Sequence, residues 1–340
     1  DKLESVAENV WTRLKEGTRR KLAPMLALAT WGLGRWERMR RFAELMDEST
    51  SVDASFYEAV LAVHDGRLEA ARDHVTRARV RLSGVITPLL AESYNRAYSS
   101  LVMVQKLAEL DEIITLKKMV KSGRTVESER YRHRLERTWR RRISSCQQSV
   151  DVWFQILHVR SLLLPPGEER NIAHHSRSLG TQGTQKSVWV KFAALCRKSG
   201  RFPLSLKVLQ QLGACGHDDV HLPHMVQLLS EAHGVGPIID ISSQQRRGGK
   251  RKRPKPAVRY ALYKHAWAAG FRAEALKQLE TFVSEMANDP TSPGHDDIEL
   301  RVRCHIKLGQ YRQVLSGRGS GLGDAKGSIR KARRTFGAKG

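Results

Sequence analysis

The 340 residues carry 59 Lys and Arg against 35 Asp and Glu, a formal net charge of +24, with 40% hydrophobic residues and four cysteines. No apolar run approaches the ~18 residues that would span a bilayer, and no signal peptide opens the chain, which excludes a transmembrane reading. Cys146, Cys196, Cys215 and Cys304 show no C-x-x-C spacing, so a reduced intracellular chain without disulfides is expected. The basic balance would ordinarily suggest a nucleic-acid or acidic partner. Its location weakens that reading: segments 242–256 and 317–340 together supply 13 of the 24 net charges in stretches with no core-forming pattern.

Asp1 rather than Met opens the chain, and helical periodicity is under way by Leu3, as expected for a piece of a larger protein. Leu22, Met25, Leu26 and Ala29, then Trp36, Met39, Ala43 and Met46, form a first pair of helices about a corner at Gly34. Phe56, Val60 and Val63 lead to Gly66, beyond which Leu68, Ala71, Val75, Ala78 and Leu82 step by three and four. A further helix is expected to open at Pro88, with Leu90, Tyr94, Ala97, Leu101 and Val104 on its apolar face. A turn at Ala108-Glu109 would then reverse the chain into Leu110, Ile113 and Ile114. After Lys121-Ser122-Gly123 a long helix carries Leu135, Trp139, Ile143, Cys146, Val150, Trp153 and Leu157 up to Pro165-Pro166-Gly167.

Loop composition fills 165–186, and helical spacing resumes at Val188, Phe192 and Leu195, turning at Gly200 into Leu204, Val208, Leu209 and Leu212. Residues 213–257 read as irregular, and helices return at 260–269, 273–286 and 298–308 with corners at Gly270 and Gly309. Glycine ends a helix in the left-handed conformation without a Cβ penalty, so each of the five corners marks a tight helical hairpin. The expected fold is all-α: TPR-like hairpin repeats forming a curved α-solenoid over 1–316, followed by a Gly/Lys/Arg-rich disordered tail over 317–340. Trp31, Trp36, Phe56, Tyr94, Tyr98, Trp153, Trp189, Phe192 and Trp267 are the expected core of the corners.

Chemistry is sparse. Cys215, His217, His221 and His224 could suit zinc, but their spacing matches no standard finger, and a polar surface loop is the preferred reading; no metal is expected. Gly317, Gly319, Gly321 and Gly323 mimic a nucleotide-binding loop without the strand and helix it needs. Kinase, nucleophile-elbow and metalloprotease motifs are all absent, which leaves no catalytic residues. The run Lys117 to Arg142 holds eleven cations, read as a solvated helix face or a site for a phosphate-rich ligand. Lys250-Arg251-Lys252-Arg253 has the look of a nuclear-import signal.

The stretches 29–39 (ATWGLGRWERM), 55–82 (SFYEAVLAVHDGRLEAARDHVTRARVRL) and 91–114 (AESYNRAYSSLVMVQKLAELDEII) resemble the FAT region of target-of-rapamycin (TOR) kinases, of the phosphatidylinositol-3-kinase-related family. Residues 146–164, 189–209 (WVKFAALCRKSGRFPLSLKVL), 260–270 and 303–311 (RCHIKLGQY) continue the match in order. Loops 165–186 and 238–257 look longer than the family pattern, and 317–340 departs from it.

The resemblance implies a non-catalytic scaffold that clamps the kinase domain of the same polypeptide and supports TOR complex subunits in growth and nutrient signalling. ATP and Mg would belong only to that kinase domain. It also implies inositol hexakisphosphate as a structural ligand in a basic pocket, for which Arg79, Lys117, Lys264 and Arg303 stand at family-matching positions. A cytoplasmic location is expected, with endomembrane surfaces and the nucleus as further sites, and no direct nucleic-acid partner. The competing reading is a stand-alone helical-repeat adaptor binding RNA or acidic partners through 117–142 and 246–255.

Overall fold

Six glycines adopt positive φ among the described residues: Gly34, Gly66, Gly123, Gly200, Gly234 and Gly270. At each, the glycine N–H donates to the carbonyl three residues back and the next residue donates to the carbonyl five back. At Gly66 these bonds are Gly66 N to Val63 O at 3.3 Å and Arg67 N to Ala62 O at 2.9 Å. The same pair recurs as Gly34 to Trp31 with Arg35 to Thr30, and as Gly200 to Arg197 with Arg201 to Cys196. These are Schellman caps, which satisfy the last carbonyls of one helix and turn the chain into the next. Four of them are Gly-Arg dipeptides, and Arg35, Arg67, Arg124 and Arg201 share φ between −96° and −80° and ψ between 62° and 73°. One local geometry is thus reused at four corners.

The computed structural model describes residues 14–47, 51–163, 184–214, 221–235, 256–288 and 295–316. It divides into two compact units, Asp1–Gln182 and Gly183–Gly340, the boundary falling in the segment expected as the 165–186 loop. Among the described residues the fold is all-α hairpin repeat, without strands.

In the first unit, α1 (Glu16–Gly32), α2 (Trp36–Glu44), α3 (Val52–His64), α4 (Leu68–Glu92), α5 (Tyr94–Lys121), α6 (Thr125–Ser145) and α7 (Val150–Ser161) pack mainly against their sequence neighbours, with α5 also meeting α7. The α3/α4 pair matches its expected face: Phe56, Val60, Val63, Leu68, Ala71, Val75, Ala78 and Leu82 are all buried. Leu107, Leu110, Ile113 and Ile114 of α5 complete that core. In α1 the buried face is Ala23, Leu26, Ala27, Thr30 and Trp31, whereas Met25 is exposed.

Four expectations in this unit are corrected. Pro88 opens no helix: α4 runs through it to Glu92, and the chain breaks at the extended Ser93. The bond lost at a proline nitrogen falls in the solvent-facing end of α4, where water can replace it. Ala108-Glu109 is no turn, because α5 is continuous from Tyr94 to Lys121 and Glu109 is wholly buried within it. Tyr94, expected in the core, is 62% exposed, since the ends of α4 and α5 around Ser93 lie beyond the reach of the shorter α3. The long helix expected from 125 to 164 is two, parted at Cys146–Ser149.

In the second unit, α8 (Thr184–Lys198) pairs with α9 (Phe202–Leu209), which relaxes into a π-helical turn at Gln210–Ala214. Then follow α10 (His221–His233), α11 (Pro256–Ala268), α12 (Arg272–Asn288) and α13 (His295–Leu315). The helix α10 lies in the stretch read as irregular; Met225, Val226 and Leu229 form its buried stripe, too short to register as a period. The Gly309 corner is also corrected. Gly309 is buried in the interior of α13, which runs on to Leu315, so this glycine reverses nothing. Phe192, Leu206, Leu262, Tyr263 and Phe282 are fully buried, and Trp267 stacks on Tyr311 at 3.6 Å between ring centroids.

Candidate functional site

The first unit's polar interior is structural. Arg160 of α7 is 4% exposed and donates from Nε to Glu109 Oε2 and from an Nη to Oε1, each at 2.8 Å. A third bond reaches the Trp139 carbonyl at 3.0 Å, and the guanidinium lies 5.1 Å from the Trp139 ring centroid. One buried ion pair therefore ties α5, α6 and α7 together. Beside it, Lys106 donates to Gln155 Oε1 at 3.0 Å and lies 4.5 Å from the Phe56 ring centroid; burial pushes its ammonium down to about 8. Glu112 accepts from Trp139 Nε1 at 2.7 Å and from both terminal nitrogens of Arg142.

The second unit holds a different arrangement. Lys264, on α11, places its Nζ 4.2 Å from the Tyr260 ring centroid. Burial pushes its ammonium down to about 8, and three further cations add to the shift: Arg197 at the end of α8, with Lys307 and Arg303 on α13. Lys307 is lowered as well, by burial and then by Arg197; its Nζ donates to Gln310 Oε1 at 3.0 Å and lies 5.4 Å from the Tyr311 ring. Tyr260 braces the α13 side by donating its hydroxyl to the Arg303 carbonyl at 3.2 Å. Arg303 pairs with Glu299 at 2.5 Å one turn away, a solvent-exposed pair. Among the described residues no carboxylate acts on Lys264.

Burial and the neighbouring cations disfavour the charged forms of Lys264 and Lys307, and a bound polyanion would reverse that penalty. The site is built for charge, not for nucleophilic chemistry: burial raises the neighbouring Cys304 thiol to about 12, far from a reactive thiolate.

The structure thus brings Lys264 and Arg303 together and adds Arg197 and Lys307. Both additions lie inside stretches that carry the family resemblance, CRKSGR and RCHIKLGQY, and that was the available signal. Arg79 lies in the first unit, where it pairs with Asp111 at 3.1 Å. Lys117 is half-buried on α5 of that unit, beside Lys118, which pairs with Glu69 at 2.7 Å. Of the corner glycines, Gly34, Gly66, Gly200 and Gly270 have the expected left-handed conformation. Cys215, His217 and the 317–323 glycines lie outside the described residues, and His224 is exposed on α10. Among the described residues no group of three His, Cys, Asp or Glu is placed to hold a metal, and no helix is long and apolar enough to cross a membrane.

A family model described as the FAT domain matches residues 23–320. The chain is 33% identical over 334 residues to the serine/threonine-protein kinase TOR2 of Saccharomyces cerevisiae, covering 93% of this chain and 12% of that relative. It is 29% identical over 365 residues to the serine/threonine-protein kinase TOR of Arabidopsis thaliana, covering 99% of this chain and 13% of the relative. Against the serine/threonine-protein kinase mTor of Drosophila melanogaster it is 30% identical over 318 residues, 92% of this chain and 11% of that one. The chain therefore spans about an eighth of the length of these curated relatives.

Proposed function

The chain belongs to the FAT-domain family, and from that premise we propose that it is the non-catalytic scaffold of a TOR-type serine/threonine kinase, clamping the kinase domain of the same polypeptide and supporting assembly with TOR complex subunits. The described residues support a bracing role, because polar groups in and around the core are spent on joining helices: buried Arg160 with Glu109, and half-buried Arg142 with Glu112. Stacked hairpins of this kind present extended surfaces and transmit force between neighbouring repeats. Co-expression of this chain with the parent's kinase domain as separate polypeptides tests the clamp. A stable complex through size-exclusion chromatography is expected; two separate peaks at micromolar concentration would refute it.

Within that role the second unit's basic cluster binds an inositol polyphosphate as a structural ligand. The observation that carries this reading is the set Arg197, Lys264, Arg303 and Lys307, in which Arg303 alone has a carboxylate partner among the described residues, the exposed Glu299, and Lys264 is held down to about 8. Each phosphate met by a guanidinium or ammonium gains a charge-assisted hydrogen bond and relieves the repulsion. Calorimetric titration of the chain with inositol hexakisphosphate should give saturable binding, weakened at least ~10-fold, or ~1.4 kcal/mol, by Lys264→Ala with Arg303→Ala. Equal affinity in wild type and the double variant would eliminate the site.

A further inference from the structure

Helix α6 carries seven arginines, and the structure separates them by role. Its buried side is Ser128, Leu135, Glu136, Trp139 and Ile143, and Arg142 is held by Glu112. Arg130, Arg134, Arg137 and Arg141 are all exposed. At about 100° per residue these four fall within an arc of ~60° opposite the buried side, and along the axis they span ~16 Å. None of the four pairs with a carboxylate among the described residues; Arg134 lies 5.3 Å from the Tyr131 ring centroid. Like charges three and four residues apart weaken a helix, so this row costs α6 stability that no carboxylate among the described residues offsets.

We propose that this arginine row is a docking surface for an acidic α-helix of another protein, one carrying carboxylates at i, i+4, i+7 and i+11. Two parallel or antiparallel helices share the same rise per residue, so carboxylates in that order meet the guanidiniums in register, each able to accept two hydrogen bonds. The partner is not a second copy, because no four acidic residues anywhere in the 340 stand in that spacing. A single-stranded RNA is disfavoured: the arc contains no Phe, Tyr or Trp on which bases could stack. A membrane surface is disfavoured too, since the arc holds no apolar residue and only the exposed Val126 flanks it. This inference is independent of the polyphosphate site, which lies in the other unit.

The test is fluorescence anisotropy of a labelled, helix-forming Ala/Gln peptide with four Glu in the 4-3-4 spacing, against a peptide of identical composition with the Glu spread around the helix. The patterned peptide should bind about tenfold more tightly to the full chain. Its affinity should fall as salt rises from ~50 to ~300 mM. Arg137→Glu with Arg141→Glu should abolish the preference at unchanged circular dichroism, and Arg137→Gln with Arg141→Gln serves as the milder pair if the reversal unfolds the chain. Equal binding of the two peptides, or retention of the preference in the glutamine pair, would overturn the proposal. So would tighter binding of oligo(U) RNA or phosphatidylserine vesicles that is lost with the same substitutions.

Discussion

Arg160→Ala is the sharpest test of how the first unit is held together. The substitution removes two bonds to Glu109 and one to the Trp139 carbonyl, and leaves a carboxylate at 0% exposure whose other hydrogen bond is from Gln105 at 3.1 Å. An uncompensated buried charge of this kind costs ~3–5 kcal/mol. For a unit of this size, where ~1 kcal/mol moves the midpoint by 2–4 °C, the unfolding transition should fall by about 6–20 °C. Glu109→Ala should cost as much, for the mirror-image reason. The diagnostic variant is Glu109→Leu with Arg160→Met, which replaces both charges with apolar volume and should recover most of the loss. Differential scanning calorimetry of wild type, Glu109→Leu, Arg160→Met and this double variant supplies the double-mutant cycle. A loss under ~1 kcal/mol in Arg160→Ala, or a double variant as unstable as the sum of the singles, would refute a buried pair whose partners depend on each other.

Further expectations follow from the corners, the tip and the basic cluster. Gly66→Ala forces a Cβ onto φ +76° and should destabilise by ~1–2 kcal/mol, whereas Gly84→Ala, mid-helix with open space around it, should stabilise by ~0.5–1 kcal/mol; urea midpoints at equal m-value read both. Tyr94→Ser at the exposed end of α5 should shift stability by less than ~0.5 kcal/mol, while Trp31→Ala, at 4% exposure, should cost ~3–5 kcal/mol in the same urea titrations. Lys264 is lowered from 10.5 to about 8 in the folded state, so between those pH values the unfolded chain binds the extra proton and this group's contribution to stability rises with pH. Lys264→Met should therefore be more stable than wild type at pH 7 and show a shallower rise between pH 8 and 10, the residual slope combining the rise from Lys106 and Lys307 with the opposite contribution of the raised Cys304 thiol. Because a bound polyanion favours the charged ammonium, inositol hexakisphosphate binding near pH 8.5 should take up protons, detectable as a calorimetric enthalpy that changes with the ionisation enthalpy of the buffer; no buffer dependence would sink that coupling.

The sequence by itself determined the hairpin architecture at four of its five expected corners. Gly34, Gly66, Gly200 and Gly270 are legible because the φ between 65° and 102° found there is closed to most side chains, so the chemistry of one residue fixes the local backbone. The 3.6-residue period fixed the buried faces of α3 and α4 for a similar reason: each side chain's direction follows from its position along the helix. What a glycine or proline does in context is not local in that way. Gly309 lies mid-helix and Pro88 within the solvent-facing end of α4, because the surrounding turns outweigh one residue's preference.

The polar contacts belonged to tertiary structure alone. Arg160 and Glu109 are 51 residues apart, and neither differs in sequence from the surface arginines and glutamates around it. Lys264 and Arg303 were legible through family resemblance, yet only packing of α8, α11 and α13 brought Arg197 and Lys307 to them and left Lys264 without a carboxylate among the described residues. Likewise the basic run at 117–142 was plain in the sequence, while its division into anchored Arg142 and an unpaired row of four came from which side of α6 the core covers. Local conformational preference is written residue by residue; charge pairing depends on distances that exist only once the helices have packed.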